Sequence, residues 1–261
     1  MPGDHVPLPD LDRLGGLRWV ERTRGVLTWR EQRQFLGAAT KMMATALSGR
    51  MRLAIRGASN DASTLETVDF RPPDSKFARE VMKACAEQSP TVSAHSYRTW
   101  IFGSALSAID ATPMDSELFF GAALLHDHGI EQPVPGEDFT LRSAARARSC
   151  AHVVGLPQRS AVALADAITA HFMPDLTSDR DGALATYVSQ GAMLDLAGLR
   201  AEKLTRDFRA KVARAYPRDR SVANEIALIR KESRLNPRSR MGLAYRLGMT
   251  TALRLSPMRR D

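Results

Sequence analysis

The stretch Leu118–Gly129 reads Leu-Phe-Phe-Gly-Ala-Ala-Leu-Leu-His-Asp-His-Gly, so an apolar run ends in a histidine and a carboxylate. Phe119, Ala122 and His126 recur at steps of three and four residues, which places them on one face of a helix. A helix this apolar belongs in the protein interior, where His126 and Asp127 need polar partners. Imidazole and carboxylate groups are ligands of first-row divalent cations. The stretch therefore predicts a buried helix that delivers metal ligands.

Helical periodicity continues on both sides of this stretch. Proline and glycine separate the periodic segments, and we find no convincing β alternation. We predict an all-α fold with an N-terminal extension and connector (1–74), a metal-binding helical domain (75–200) and a basic C-terminal helical segment packing on it (201–261). The predicted helices cover about residues 76–88, 94–109, 115–127, 140–154, 159–172, 182–198, 201–215 and 220–234.

The N-terminal extension carries one clear helix signal. Thr28 and Glu31 have the spacing of a capping box, in which each side chain satisfies an amide at the start of a helix. We predict that this helix runs to about Ser48 and that an irregular, glycine-containing lead precedes it. Residues 69–74 contain two prolines and predict a connector.

Three further polar residues lie on apolar helix faces: His95, His171 and Asp195. A single histidine on such a face is more often a satisfied core residue than a ligand. A carboxylate amid apolar residues is rarely tolerated without a cation or strong hydrogen-bond donors. It is hard to explain all of these residues as unrelated polar groups of the core. We therefore expect the four helices that carry His95, His126, His171 and Asp195 to form one site.

The order of these residues resembles that of the HD-domain superfamily of metal-dependent hydrolases. The resemblance covers about residues 75–200 and implies an HD-domain-like helical bundle. It also implies that His95, His126, Asp127 and Asp195 bind one divalent metal ion, with zinc expected before iron or manganese. The matching segments are His95-Ser96-Tyr97-Arg98, Ala122-Ala123-Leu124-Leu125-His126-Asp127-His128-Gly129, Ala167-Ile168-Thr169-Ala170-His171 and Gly191-Ala192-Met193-Leu194-Asp195-Leu196-Ala197-Gly198, and the first and last are similar to the cyanamide hydratase branch.

The resemblance also implies catalytic roles. A bound cation lowers the pKa of water towards neutrality, and Asp127 or Asp195 would orient that water. His171 would transfer a proton or contact the substrate, because its ordinary pKa is near neutral. Arg98 would either hold an anionic substrate or neutralise a ligating carboxylate.

One departure from the family pattern bears on the substrate. Many phosphate-cleaving members have a lysine after His-Asp-x-Gly, whereas Ile130 and Glu131 follow Gly129 here. A nearby Glu131 would repel a polyanion. The expected activity is therefore a metal-dependent hydrolase or hydratase acting on a small, nitrogen-containing molecule, such as a nitrile-like or amide-like compound. The alternatives are a nucleotide or phosphoester phosphohydrolase and a non-enzymatic nucleic-acid or partner-binding protein with a residual HD fold.

Two histidines remain outside this set. If His128 or His152 joined His171 as a ligand, a second metal could bind, and related di-iron members of the superfamily are oxygenases. His128 directly follows the His-Asp pair and should point elsewhere on a helix. Exposure of both histidines is the simpler expectation.

The net charge of +8 is concentrated at the C-terminal end, where residues 201–261 hold 16 Lys and Arg against 6 Asp and Glu. Such a region is either a solvated helical face, which we favour, or a surface for nucleic acid or another anionic partner. Met241, Leu243, Tyr245 and Leu247 predict that this segment folds back on the helical domain.

Composition narrows the remaining classes. The two cysteines match neither a zinc knuckle nor a disulfide framework, which favours a reducing cytoplasm. The N-terminus lacks signal-peptide features, and no apolar run approaches the roughly 20 residues of a membrane span. The expected partner is a small-molecule substrate and not a membrane, and a homo-oligomer stays open.

Overall fold

The computed structural model describes residues 8–56, 65, 70–218 and 221–260. Within these residues the regular elements are all helices, and β pairing is limited to two isolated bridges. The all-α prediction is confirmed. The helices are α1 (Leu17–Thr23), α2 (Trp29–Arg56), α3 (Lys76–Cys85), α4 (Pro90–Ile109), α5 (Ser116–Leu125), α6 (Phe139–Val153), α7 (Gln158–Ala170), α8 (Ser178–Asp181), α9 (Ala183–Ala197), α10 (Arg206–Ala215), α11 (Ser221–Leu235), α12 (Arg240–Arg246) and α13 (Met249–Arg254).

Most predicted helices are found close to their expected bounds. The bounds of α3 to α7, α9 and α11 agree with the predicted bounds to within four residues at each end. The short helix α8 was not predicted. The predicted helix at 201–215 is instead a 3-10 turn (Ala201–Lys203) followed by α10. Leu204 and Thr205 lie between the two in extended conformation, and the Thr205 hydroxyl accepts from the amide of Phe208 and so starts α10.

Two expectations for the N-terminal region need correction. The capping box is present, since the Thr28 amide and hydroxyl both donate to Glu31 Oε2 at 2.7 Å, but the helix it starts continues to Arg56. The lead was expected to be irregular, yet it contains α1. Leu17, Trp19 and Val20 are buried, and this burial stabilises a helix too short to stand out as a periodic pattern.

Helices α4 and α9 pack closely against each other at two glycines. A Cβ atom at Gly191 would collide with the carbonyl oxygen of Thr99, and one at Gly103 would lie 2.6 Å from that of Tyr187. Only glycine allows the two backbones to approach this closely. The contact brings Asp195, one turn beyond Gly191, beside the segment of α4 that carries His95.

Helix α5 presents the His-Asp pair at its C-terminal end. The Asp115 carboxylate caps the helix by accepting from the amides of Glu117 and Leu118. Helix α5 ends at Leu125, so His126 is its C-cap and Asp127 already lies outside it. A tight 3-10 turn follows, and the Gly129 amide donates to Ser143 Oγ at 2.8 Å.

The N-terminal residues are tied to the core by a buried ion pair. Arg13 donates to both carboxylate oxygens of Asp166 at 3.0 and 2.8 Å and also contacts Asp181. The same Asp166 accepts from the amide of Leu17 at 2.9 Å. The division into an N-terminal extension and connector (1–74), a metal-binding helical domain (75–200) and a basic C-terminal segment packing on it (201–261) stays a prediction.

The C-terminal helices close one end of the bundle. Met241 and Leu253 join Ile226 and Ile229 of α11 in a buried cluster that also includes Phe139 of α6. Leu243 and Leu247 pack beside residues of α1 and α2. The segment therefore folds back over the helices that carry the site.

Glu232 of α11 provides a pH-dependent contribution to stability. Its carboxylate is fully buried, and burial raises its pKa to about 7 despite contacts with Asn236 and Arg142. The unfolded carboxyl titrates near 4.5, so the folded state binds the proton more tightly. The free energy of unfolding should therefore fall as the pH rises from about 4.5 through 7.

Glu232→Gln should remove this decline, because the amide is neutral at every pH. We expect the loss of stability between pH 5 and pH 8 to shrink by about 2 kcal/mol, measured by urea unfolding at both values. The exposed Glu21→Gln variant is the control and should keep the wild-type profile. An equally steep profile in Glu232→Gln would contradict the prediction.

Candidate metal centre

Three predicted ligands converge on one point. His95 comes from α4, whereas His126 and Asp127 follow one another at the end of α5. The Nε2 atoms of the two imidazoles lie 3.3 Å apart, and Asp127 Oδ2 lies 3.7 Å from His95 Nε2 and 3.5 Å from His126 Nε2. The three ligand atoms are all within 4.8 Å of one another, so they form a compact group that could hold one metal ion.

The second nitrogen of each ring fixes its orientation. His126 Nδ1 lies 2.7 Å from the carbonyl oxygen of Ala123, and His95 Nδ1 lies 2.7 Å from Asp195 Oδ2. Because a carbonyl or carboxylate oxygen only accepts, both Nδ1 atoms carry the hydrogen. When both rings are neutral, the two Nε2 lone pairs face each other, and either a cation between the rings or a proton on His95 Nε2 satisfies both nitrogens. The Asp127 carboxylate beside the two nitrogens completes a set of three ligand types, so the donor set fits a metal ion.

The electrostatics of the two rings differ. Burial lowers the pKa of His126. Burial also acts to lower the pKa of His95, but Asp195 and Asp127 raise it above its usual value. One buried ring is thus kept neutral, as a ligand must be, while carboxylates favour positive charge at the other.

His171, predicted to act outside the ligand set, lies beside it. Its Nε2 is 3.7 Å from Asp127 Oδ1, and its ring centroid is 4.8 Å from that of His126. Its Nδ1 donates to the carbonyl oxygen of Ile168 at 2.6 Å, which leaves the Nε2 lone pair facing the group. Burial and the neighbouring His126 lower the pKa of His171 to about 3. The ring is therefore neutral at pH 7, which disfavours the predicted proton-transfer role and suits a further metal ligand or a hydrogen-bond acceptor.

Asp195 lies against the opposite edge of the His95 ring from the other ligands. Its Oδ2 accepts from His95 Nδ1, and its Oδ1 accepts from Arg98 Nε at 2.8 Å and from Arg218. Burial opposes ionisation, but the charges of Arg98 and Arg218 hold the pKa of Asp195 well below its usual range. A carboxylate behind a ligating histidine orients the ring and raises its basicity. Both carboxylate oxygens are thus engaged away from the point where the Nε2 atoms meet.

Arg98 has contacts that favour the charge-neutralising role over substrate binding. It is fully buried, and its Nη1 donates to the carbonyl oxygens of Tyr216 and Pro217 at 3.1 and 3.2 Å. It does not line the cavity above the metal-ligand group. Its guanidinium therefore fixes Asp195 and the chain after α10.

Two residues near the site escaped the sequence analysis, namely Glu225 and Arg218. Glu225 of α11 has a side chain only 11% exposed, and together with His95 and Asp195 it forms a second compact group that could hold a cation. Burial raises the pKa of Glu225. Its spacing with Val222 and Ile229 on one helix face was a usable signal. Arg218 lies in a connector, where no periodicity marks it.

His128 and His152 do not join the group. His128 Nε2 lies 3.1 Å from Glu87, and His152 is exposed on α6. Glu131, expected to repel polyanions near the site, instead accepts from the amide of Ser89 at 2.9 Å and does not line the cavity. The backbone after Gly129 turns its side chain towards the start of α4.

Comparison with known proteins gives no family assignment: no protein-family model matches this chain, and no curated protein matches it. In the part of the chain that the structure describes, no helix is both long and apolar enough to cross a membrane. Both cysteines are buried free thiols.

Proposed function

We propose that the protein is a metal-dependent hydrolase or hydratase that adds water to a small molecule in the cytoplasm, as the resemblance to the HD-domain superfamily implies. The observation that carries the proposal is the convergence of His95 Nε2 and His126 Nε2, 3.3 Å apart, with the Asp127 carboxylate beside them. Two imidazole nitrogens and a carboxylate that converge in a buried site form a donor set suited to a divalent cation.

His95, His126 and Asp127 would hold the metal, with His171 as a further candidate, while Asp195, which the HD-domain resemblance makes a ligand, would instead orient His95. The ion, zinc before iron or manganese, would supply a water of lowered pKa and polarise the bond under attack. The chain's own groups complete the reaction. Asp127 has one oxygen beside the ligand rings and the other 3.7 Å from His171 Nε2, so it can orient water, while the neutral His171 can accept a hydrogen bond from that water or contact the substrate.

A hydratase or amide-type hydrolase fits the site better than the phosphohydrolase alternative. Among the described residues that line the cavity there is no lysine or arginine to neutralise phosphate. A nucleic-acid or partner-binding protein with a residual HD fold is the non-enzymatic alternative, and it would use the basic residues of 201–261 and not the buried site. Nucleic-acid binding by the full chain, measured over a series of salt concentrations, tests this alternative. Absence of binding in low salt would exclude the nucleic-acid-binding alternative.

Elemental analysis of the purified protein tests the metal site. We expect about one equivalent of divalent metal in the parent and its loss from His126→Ala and Asp127→Ala, because each change removes a converging ligand. The exposed His152→Ala is the matched control and should retain the metal.

Circular dichroism accompanies each variant to show that the helices persist. Metal absent from the parent even after reconstitution with zinc, iron or manganese would overturn the proposal. Equal metal content in His126→Ala and His152→Ala would overturn it as well.

A further inference from the structure

The metal-ligand group forms the floor of an apolar cavity of about 150 Å³. Helix α2 supplies one wall, α9 another, and α11 to α13 cover the site from the C-terminal side. The segment beyond residue 200 therefore completes the pocket. Wall residues include Phe35, Met42, Met193, Leu228, Ile229 and Leu253.

Polar groups are confined to a few positions in this cavity. Among its described lining residues, the side chains with nitrogen or oxygen atoms are those of the three histidines, Asp127, Glu225 and Ser189. Glu225 lies within 4.8 Å of His95, so the charged groups share one end. The remaining walls offer a ligand no hydrogen bond from a side chain.

We infer that the substrate is an uncharged compound with one small reactive group and an apolar body of roughly six to eight non-hydrogen atoms. The inference rests on the proposed function for the reaction of the substrate, but the size and polarity of the substrate follow from the cavity itself. A dry cavity of roughly 150 Å³ in another protein holds a benzene-sized molecule, which sets the size. A sugar or nucleotide would leave its polar groups unpaired against these walls.

The charge of the lining residues also excludes substrates whose apolar part would carry a negative charge. Asp127 and Glu225 line the cavity, and no described lining residue is a lysine or an arginine. An anionic group placed along the walls would lose its hydration without gaining a partner. Only the reactive group of the substrate would contact polar atoms of the protein.

Methionine dominates the flexible part of the lining. Six of the 11 methionines line the cavity: Met42, Met43, Met173, Met193, Met241 and Met249. Methionine side chains adapt their shape at small cost. The pocket should therefore accept aromatic and branched aliphatic bodies of similar size.

Titration calorimetry with benzyl alcohol and methanol tests the inference on the full-length protein after zinc loading. Neither alcohol can be hydrolysed or hydrated, so binding is measured apart from turnover. Burial of the ring should make benzyl alcohol bind at least ~30-fold more tightly than methanol. Benzylphosphonate, which carries the same ring and a negative charge, should bind at least ~10-fold more weakly than benzyl alcohol to the metal-free protein.

Two substitutions fill the cavity. Ala192→Leu on α9 and Ala244→Leu on α12 should each weaken benzyl alcohol binding by at least ~10-fold, because the added methyl groups occupy its space. Ala215→Leu, exposed at the end of α10, is the matched control and should bind as the parent does.

The outcomes separate this inference from the proposed function. Equal binding of the two alcohols, or unchanged affinity in both folded cavity variants, would overturn the apolar-substrate inference whatever the metal content. Tighter binding of benzylphosphonate to the metal-free protein would do the same. Selective ring binding by a protein that takes up no metal would support the pocket and overturn only the metal-dependent reaction.

Discussion

Arg240→Met is expected to lower the free energy of unfolding by about 3–5 kcal/mol. Arg240 is fully buried at the start of α12, and its guanidinium meets the equally buried carboxylate of Asp138 at 3.1 Å. It also donates to the carbonyl oxygen of Thr169 and to the hydroxyl of Thr140. Methionine would fill part of the volume but leave a buried anion without its cation.

The charge of Asp138 explains why this effect should be large. Burial disfavours the ionised form, yet the Arg240 charge and hydrogen bond keep the pKa of Asp138 below its usual value. Without Arg240 the carboxylate must take up a proton or remain unpaired, and both options destabilise the folded state at pH 7. Urea unfolding followed by circular dichroism measures the loss.

Two further variants identify the cause. Arg238→Met changes an exposed arginine two residues away and should cost less than about 0.5 kcal/mol. Adding Asp138→Asn to Arg240→Met should recover part of the lost stability, because the unpaired charge is gone. A loss below about 1 kcal/mol in Arg240→Met would show that the pair does not hold the C-terminal segment in place.

Asp195→Asn is expected to weaken metal binding by about 10–100-fold, the range typical of a residue that orients a ligating histidine. Its Oδ2 holds His95 Nδ1 at 2.7 Å, and its charge balances Arg98 and Arg218. Asparagine keeps the shape and removes the charge. The variant should also lose about 3 kcal/mol of stability, because Arg98 and Arg218 lose the carboxylate that they contact most closely.

Competition with a chromophoric chelator measures the metal affinity, with Asp127→Asn as the matched comparison. Asp127 has an oxygen among the converging ligand atoms, so its loss should be the more severe. Equal losses in both variants would indicate that Asp195 binds the metal directly, as the HD-domain resemblance implies. Unchanged affinity in Asp195→Asn would contradict an orienting role.

The sequence alone determined the features that depend on neighbouring residues. Helical periodicity and the proline and glycine breakers gave the all-α fold and most helix bounds, and the capping box at Thr28 marked the start of α2. The same periodicity placed His95, His126 and His171 on buried faces. These are local properties, because a helix sets the relation between residues three and four apart.

Only the tertiary structure decided which distant groups meet. His95 and Asp195 are 100 positions apart, and Arg240 meets Asp138 from 102 positions away. The glycine contact between α4 and α9 brings His95 and Asp195 together, and no local sequence pattern specifies how closely two distant helices approach. The place of Glu225 and the apolar lining from α2 and α11 to α13 likewise arise where elements remote in the chain pack together. The local sequence shows which residues are candidate ligands. The partners of these residues and the shape of the pocket depend on how the helices pack in three dimensions.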